Sequence, residues 1–385
     1  MGDDTISIGN KKYRIDDVIF VIDSTTTVFM VSLISKGKAI NCIIEKKIDV
    51  DTDNSYHLLK NFVNACLALR SVKEVNVRSR YFIEGGIITR LLKINKFRTI
   101  VKNQFKEEKN KIYIGPCTSS IMNCLRCNHE NILYLYHGTI DCYRYYQKIR
   151  MKDKNTSVKI KHCLKKVIFS QLLKLPNSIW NDFFSLQGFS LVNMNLPHMI
   201  WLNYKEFESE KIESLLVPLI EEAENFNSIM FCPISDFHNK NGINSNTTLF
   251  NEKNIDLIKK YTRENEKIFL KFHPSIYQLN DNVIVNLGTE INKRFGNIVR
   301  DVVQYIPEDI GGALLPLEVL FRYCKFNKII CVETTTIWTL QFDNEIAKIA
   351  DFSSVTGNRK KVINNFITMM KELSILNDTY LINDN

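Results

Sequence analysis

The chain alternates short apolar runs with longer amphipathic stretches. The runs have strand length and are bounded by turn residues, while the stretches between them repeat apolar positions at helical spacing. In the first half the predicted strands are 17–23, 39–45, 72–77, 111–115 and 131–136, and the predicted helices are 26–35, 56–70, 82–94 and 119–127. This alternation is typical of parallel sheets built from β-α-β units.

A basic, less regular region interrupts the alternation after residue 138 and ends at 180–195. Beyond it the predicted strands are 199–204, 228–234, 267–272, 282–285, 328–332 and 346–352, and the predicted helices are 210–225, 254–262, 317–324, 336–342 and 358–376. We therefore predict an α/β protein of two Rossmann-like domains, residues 1–195 and 196–355, which face a central cleft. The closing segment, 356–385, is predicted to be a helix that could pack back on the first domain.

The composition is that of an ordinary globular protein. Of the 385 residues, 45% are hydrophobic and 24% are charged, which allows a sizeable core. No apolar stretch reaches the ~18 residues of a membrane span, and the first residues do not resemble a signal peptide. The ten cysteines lie in apolar segments, as reduced core thiols do. We expect a cytoplasmic protein.

The net charge of +9 is densest at 144–166 and 359–361. The chain has no zinc-finger, RNP or helix-turn-helix pattern, so nucleic acid is not predicted as a partner. A solvated basic face is the plain interpretation of these charges. The functional alternative is an anionic glycan or lipid, with peripheral attachment to the inner face of the cytoplasmic membrane.

The first strand runs into a hydroxyl-rich turn, residues 23–27, that lacks the glycines of a dinucleotide or P-loop phosphate site. Its hydroxyls can cap the first helix. Alternatively, Ser24 and Thr25 hold part of an acceptor. Cys124 and Cys127 have the spacing of a zinc pair, but one pair without a second is a weak signal, and we interpret it as an incidental helix end.

Two histidines stand where predicted strands end. His137 is followed by Gly138 and Thr139, and His273 is followed by Pro274. Ligands of open α/β sheets collect at the carboxyl ends of strands, and histidine exchanges protons near neutral pH. Because proline cannot continue the hydrogen bonding of a strand, it directs His273 out of the sheet edge. These positions predict two halves of one site.

A third strand end carries hydroxyls. Thr334, Thr335 and Thr336 follow the predicted strand 328–332 and open a helix. Hydroxyls together with the free N–H groups of a helix start can hold a phosphate. The edges at His273 and at the threonines could therefore grip one nucleotide phosphate.

The order of these motifs resembles the bacterial sialyltransferases of lipooligosaccharide and capsule synthesis, including the polysialyltransferases, which have a GT-B fold. His273-Pro274 matches their His-Pro motif, and the three threonines match their Ser/Thr motif in character. Leu315-Pro316-Leu317-Glu318 looks like their Pro-x-Glu helix start. The resemblance covers most of the chain in order. It implies an acceptor-binding first domain and a second domain that binds CMP-sialic acid.

One motif departs from this family. Where the sialyltransferases have two acidic residues before glycine, this chain has Tyr136-His137-Gly138. His-Gly at this place looks like the CDP-glycerol and related polyol-phosphate transferases of teichoic-acid-type polymer synthesis, which also use cytidine donors. A third alternative is a catalytically degenerate GT-B protein that only binds glycan, because the expected acid is missing.

The resemblance implies a role for each candidate residue in an inverting transfer to a glycan or lipid-linked glycan acceptor. His137 would be the general base, and His273 would neutralise the leaving phosphate. Glu318 would accept the ribose hydroxyls. The other nucleotide-binding residues would be Pro274, Thr334, Thr335 and Thr336, and the acceptor-binding residues Gly138, Thr139, Ser24 and Thr25. No cofactor is expected, and metal independence follows because no carboxylate cluster is evident.

Overall fold

The computed structural model describes residues 4–8, 11–48, 53–77, 99, 103, 110–116, 119–125, 132–135, 203–232, 252–271, 292–293, 296, 299–307, 314–331, 337, 340, 343–353, 357–372 and 376–383. The chain divides into two compact units, Met1–Leu202 and Asn203–Asn385.

The first unit is built on a parallel sheet of five strands. These are β3 (Val18–Ile22), β4 (Ile40–Lys47), β5 (Leu69–Val77), β6 (Ile112–Pro116) and β7 (Ile132–Leu135). Their order across the sheet is β5-β4-β3-β6-β7. Every residue of β3 is buried, which is the pattern of a central strand covered on both faces.

The described residues of this unit include three helices: α1 (Thr25–Ser35), α2 (Asp53–Cys66) and α3 (Ser120–Leu125). An antiparallel pair, β1 (Thr5–Ile8) and β2 (Lys11–Arg14), precedes the sheet and was not predicted. The predicted helix 56–70 is wrong at its end, since α2 stops at Cys66 and the chain is already in β5 at Leu69. The apolar residues at this junction fit both periods, so the pattern alone does not separate helix from strand.

The second unit contains a parallel sheet of six strands. These are β8 (Asn227–Cys232), β9 (Glu266–Leu270), β10 (Val299–Asp301), β11 (Lys328–Cys331), β12 (Ala347–Asp351) and β13 (Tyr380–Asn383). Their order is β10-β9-β8-β11-β12-β13. This is the strand order of the Rossmann fold. The α-helices in the described part of this unit are α4 (Glu210–Glu224), α5 (Glu252–Tyr261), α6 (Leu317–Tyr323) and α7 (Gly357–Glu372).

The predicted α/β class with parallel sheets is confirmed, and both strand orders are Rossmann-like. Some elements differ from the prediction. The described end of the predicted strand 199–204 is a 3-10 turn, Tyr204–Glu206, and the strands β10 and β13 were missed. Such short strands carry too few residues for a clear alternation. The predicted helix 82–94 and strand 282–285 lie outside the described residues.

A buried lysine joins β13 to the rest of the second sheet. Lys348 of β12 is fully buried, and its Nζ donates to Thr379 Oγ1 at 2.8 Å and to the Ile346 carbonyl at 3.0 Å. Burial lowers the pKa of Lys348 to about 8, against the opposing effect of Asp343. The chain segment before β13 is thereby held by side-chain as well as ladder hydrogen bonds.

Close packing of β6 against β3 requires glycine at position 115. A Cβ there would lie 2.8 Å from Val21 Cβ, 2.9 Å from the Val21 carbonyl oxygen and 3.0 Å from Met122 Cγ. Gly115→Ala is therefore expected to lower the free energy of unfolding by about 1 to 3 kcal/mol, as overpacking does. Urea denaturation followed by circular dichroism measures this change, and an unchanged midpoint would contradict the tight contact.

Candidate functional site

In each sheet the strand order reverses at the first parallel strand, because later strands are added on its other side. In the first sheet β4 lies on one side of β3 and β6 on the other, and in the second β9 and β11 flank β8 in the same way. Ligands of open α/β sheets bind at such switch points, outside the carboxyl ends of the strands. The side chains at these two edges are therefore the ones to consider for function.

Asp23 and Ser24 follow directly after β3 at the edge of the first sheet. Ser24 is the N-cap of α1, and its Oγ accepts from the Thr27 N–H at 3.4 Å. Asp23 Oδ1 accepts from Ser24 Oγ at 3.0 Å and from Thr27 Oγ1 at 2.8 Å. The capping interpretation of the hydroxyl-rich turn is confirmed. Acceptor binding by Ser24 and Thr25 stays a prediction.

Glu45, in β4, connects this strand to the start of α3. Its Oε1 accepts from the Ile121 N–H at 2.8 Å and from the Ser119 hydroxyl, and its Oε2 accepts from the Ser120 N–H at 3.3 Å. Ser119 Oγ in turn accepts from the Met122 N–H at 2.9 Å. Glu45 is fully buried, so these donors take the place of water around its carboxyl group.

The surroundings of Glu45 raise its pKa from the ordinary range of a carboxyl group to near neutral pH. Burial, and then the neighbouring Asp23 carboxylate, raise the pKa of Glu45 to about 7. Hydrogen bonds from Ser119 and Ile121 and the charge of Lys47 act in the opposite direction. Lys47 Nζ lies 3.9 Å from Asp23 Oδ2 and donates to the Asp23 carbonyl at 3.3 Å. Among the described residues, this edge holds two buried carboxyl groups and Lys47. A buried acid poised near neutral pH is a marker of functional sites.

Glu45 was not predicted as a site residue, although it lies at the end of the predicted strand 39–45. The available signal was a carboxylate directly after the apolar run Cys42-Ile43-Ile44. Glutamate is mostly exposed and is rarely fully buried unless it is paired, so a carboxylate at a strand end is a weak signal of a buried site. Its hydrogen bonds go to residues about 75 positions away in the sequence.

The edge of the second sheet holds Cys232, Lys271 and Glu318, all buried. Glu318 lies in the first turn of α6, whose N-cap is Pro316. Burial raises the pKa of Cys232 to about 12, while Lys271 lowers it and Glu318 raises it. The charges of Lys271 and Glu318 are therefore close enough to Cys232, at the end of β8, to shift its pKa. The Cys232 thiol itself stays protonated and is not a nucleophile.

The other predicted site residues lie outside the described residues. They are His137, Gly138, Thr139, His273, Pro274, Thr334, Thr335 and Thr336. In the sequence, His273 follows shortly after β9, which ends at Leu270, and Thr334 follows shortly after β11, which ends at Cys331. The two motifs of the predicted phosphate site thus continue from the two strands that flank β8.

The described residues contain neither a metal-binding cluster nor a membrane-spanning helix. Among these residues, no three His, Cys, Asp or Glu side chains come together in a way that could hold a metal ion. Cys127 of the weak zinc pair is not among the described residues. None of the described helices is long and apolar enough to cross a bilayer.

Comparison with known proteins gives likenesses in structure only. No family model and no curated protein matches the chain. A sialyltransferase from Photobacterium damsela is similar at 12% identity and a TM-score of 0.47, over 95% of this chain and 81% of that one. The E. coli ADP-heptose lipopolysaccharide heptosyltransferase II is similar at 8% identity and a TM-score of 0.39, over 95% and 89%. A variant of the wall teichoic acid polymerase TagF is similar at 10% identity and a TM-score of 0.42, over 92% and 75%. The strand orders of the two sheets, rather than these likenesses, define the fold class.

Proposed function

We propose that the chain is a GT-B glycosyltransferase that uses a cytidine-activated donor, most readily CMP-sialic acid, to extend a bacterial capsule or lipooligosaccharide glycan. The observation that supports this most is the strand order of the second sheet. It sets β9 and β11 on either side of β8, and these are the strands from which the His273-Pro274 and Thr334 to Thr336 motifs continue. Buried Glu318, at the start of α6, raises the pKa of Cys232 at the end of β8 and therefore lies near that strand end.

In the proposed reaction an acceptor hydroxyl oxygen attacks the anomeric carbon of the donor. The bond from that carbon to the phosphate oxygen breaks, and CMP leaves with the electron pair. His137 takes the hydroxyl proton as the general base. General-base catalysis typically raises the rate about 10²- to 10⁴-fold. His273 and the three threonines neutralise the charge that develops on the phosphate. Glu318 accepts the ribose hydroxyls.

The His137-Gly138 sequence supports a second candidate, a transferase of CDP-glycerol or a related polyol phosphate. Incubation of the purified protein with CMP-sialic acid or with CDP-glycerol, without acceptor, separates the candidates by the slow hydrolysis of the donor. Release of CMP from CMP-sialic acid supports the glycosyltransferase, and release of CMP from CDP-glycerol supports the second candidate. If neither donor is hydrolysed and a glycan still binds, the chain is a binding protein of this fold.

Cytidine nucleotides are expected to stabilise the protein against heat. CMP or CDP at millimolar concentration should raise Tm while adenine nucleotides should not, because a ligand that binds only the native state adds about 2.7 kcal/mol at a hundred times its Kd. Glu318→Gln should reduce the shift, since the amide loses part of the acceptor capacity for ribose hydroxyls. Differential scanning fluorimetry measures both effects.

The matched control for that measurement is Glu213→Gln. Glu213 also lies in the first turn of a helix, α4, but is exposed, so its replacement should leave the CMP shift unchanged. The absence of a shift with every cytidine nucleotide would contradict the proposed donor class.

Attachment to the membrane is part of the same proposal. The basic stretch 144–166, which lies outside the described residues, would hold the enzyme on the anionic inner face of the cytoplasmic membrane, near a lipid-linked acceptor. Each basic residue close to such a surface adds about 1 kcal/mol and is screened by salt.

A further inference from the structure

The helix that carries Glu318 is too short to fix its own position. α6 has seven residues, and its N-cap, Pro316, makes no side-chain capping hydrogen bond. Helices of this length have little stability of their own and depend on tertiary contacts. The contacts that α6 makes with the rest of the second unit therefore decide where Glu318 stands at the edge of the sheet.

The last turn of α6 is hydrogen-bonded to the segment 203–209, with which the described part of the second unit begins. The Tyr323 hydroxyl accepts from the Ser209 N–H at 2.7 Å and donates to the Ser209 carbonyl at 3.2 Å. The Arg322 Nε donates to the Phe207 carbonyl at 2.8 Å. The rings of Phe207 and Tyr323 also meet edge to face, with their centroids 6.0 Å apart. Two side chains thus join this end of the helix to one short segment.

The segment 203–209 is itself held within the second unit. Tyr204 and Phe207 are buried, and the Tyr204 hydroxyl donates to Asp343 Oδ2 at 2.7 Å. Ser209 is the N-cap of α4, and its Oγ accepts a backbone N–H of the first turn at 3.3 Å. The end of α6 is therefore bonded to a buried, hydrogen-bonded part of the unit rather than to a free loop.

We propose that Tyr323 is a positioning residue for the donor nucleotide: its hydroxyl holds α6 against Ser209 and so keeps Glu318 where the carboxylate accepts the ribose hydroxyls. The role of Glu318 in this inference rests on the proposed function. The contacts of Tyr323 do not depend on that function.

Hydrogen bonds can fix the rotation of a helix because they are directional. The middle of α6 packs through the buried side chains of Val319, Leu320 and Phe321, and such apolar contacts are non-directional. They resist a small rotation of the helix less than its hydrogen bonds do. A rotation of about 10° moves a group that lies about 6 Å from the helix axis by about 1 Å, which is enough to weaken a hydrogen bond. Glu318 is itself buried, so its side chain has little room to compensate.

Calorimetric titration of the full chain with two nucleotides tests this role. One is CMP, and the other is its 2′,3′-dideoxy analogue, which lacks both ribose hydroxyls. The ratio of the two affinities cancels the contributions of the phosphate and the base. The wild type should bind CMP about tenfold or more tightly than the analogue, because the analogue lacks a hydrogen bond to a charged group. Glu318→Gln should reduce this preference.

Tyr323→Phe keeps the ring and its contact with Phe207 but removes the hydroxyl. The preference for CMP should fall about threefold or more, while the affinity for the dideoxy analogue stays as in the wild type, since that ligand has no hydroxyl for Glu318 to accept. Arg322→Met removes the donor to the Phe207 carbonyl and should lower the preference in the same direction. The loss of its charge affects both nucleotides alike and cancels in the ratio.

The matched control is Tyr261→Phe. Tyr261 is half-buried like Tyr323, and its hydroxyl donates to Asp351 Oδ2 at 2.8 Å in the same unit. This variant should lower Tm but leave the preference for CMP unchanged. A merely structural role of Tyr323 would give the same preference in both tyrosine variants, and that outcome would overturn the positioning role.

The remaining outcomes separate the role of Tyr323 from the proposed function. If CMP binds with a preference that Tyr323→Phe and Arg322→Met both retain, Tyr323 is not a positioning residue, while the proposed donor class stands. If the wild type binds CMP and the analogue equally, the ribose contact of Glu318 fails and the role of Tyr323 fails with it. If no cytidine nucleotide binds at all, the proposed donor class is overturned as well.

Discussion

Replacement of His137 by alanine is expected to lower turnover about a hundredfold or more and to leave CMP affinity unchanged. A general base acts on the acceptor hydroxyl rather than on the nucleotide, so its loss affects the chemical step alone. Steady-state kinetics with CMP-sialic acid and direct titration with CMP measure the two quantities. The acidic limb of the pH profile should also lie near ~6.5, as for an imidazole, rather than near ~4, as for a carboxylate.

Two further variants serve as comparisons for His137→Ala. His273→Ala should weaken CMP binding as well as turnover, because His273 is proposed to contact the leaving phosphate. His57→Ala is the control, since His57 is an exposed residue of α2 and its loss should change neither quantity. A fully active His137→Ala enzyme would refute the base and direct attention to Asp23, which the structure buries at the end of β3, or to Glu84 and Asp141.

Removal of the Asp351 side chain is expected to destabilise the second unit. Asp351 Oδ2 accepts from Tyr261 OH at 2.8 Å, from Asn383 Nδ2 at 2.9 Å and from Lys260 Nζ at 3.1 Å. Removal of Asp351 leaves the half-exposed Lys260 in contact with water, but it takes the acceptor away from the Tyr261 and Asn383 donors. Asp351→Ala should therefore lower the free energy of unfolding by about 1 to 3 kcal/mol.

The pH dependence of stability provides an independent check on Asp351. Burial opposes its ionisation, but hydrogen bonds from Ser353, Asn383 and Tyr261 outweigh it and hold the pKa of Asp351 well below the ordinary value of 3.8. Its contribution is complete above that value and is lost as pH falls toward the lower folded pKa. Urea denaturation at pH 7 and at pH 3 should show a larger loss of stability in the wild type than in Asp351→Asn, in which only the other carboxyl groups titrate.

The control for Asp351 is Asp256→Ala. Asp256 is exposed on α5, so its replacement should change the free energy of unfolding by less than about 0.5 kcal/mol. A similar small change for Asp351→Ala would show that water replaces its partners without cost.

Most of the described secondary structure was predictable because its signals are local. Strands β3, β4, β6, β8, β9 and β11 are apolar runs, and helices α4 and α7 repeat apolar positions at helical spacing. These patterns need only the burial of one face and the period of the backbone. The strand β13 was missed because, unlike the buried run of β11, it is only partly buried. Its place depends on pairing with β12 and on the hydrogen bond of Lys348 to Thr379.

The sequence by itself determined the α/β class and the motifs that follow the strands, because the alternation of apolar runs and the turn residues between them are local features of the sequence. Only the tertiary structure decided which strand ends stand side by side. The crossovers place β4 and β6 on the two sides of β3. This arrangement brings Glu45, Asp23 and Ser119 to one edge of the sheet. The ionisation of Glu45 depends on burial and on charges that are distant along the chain, and these quantities exist only once the sheet has formed.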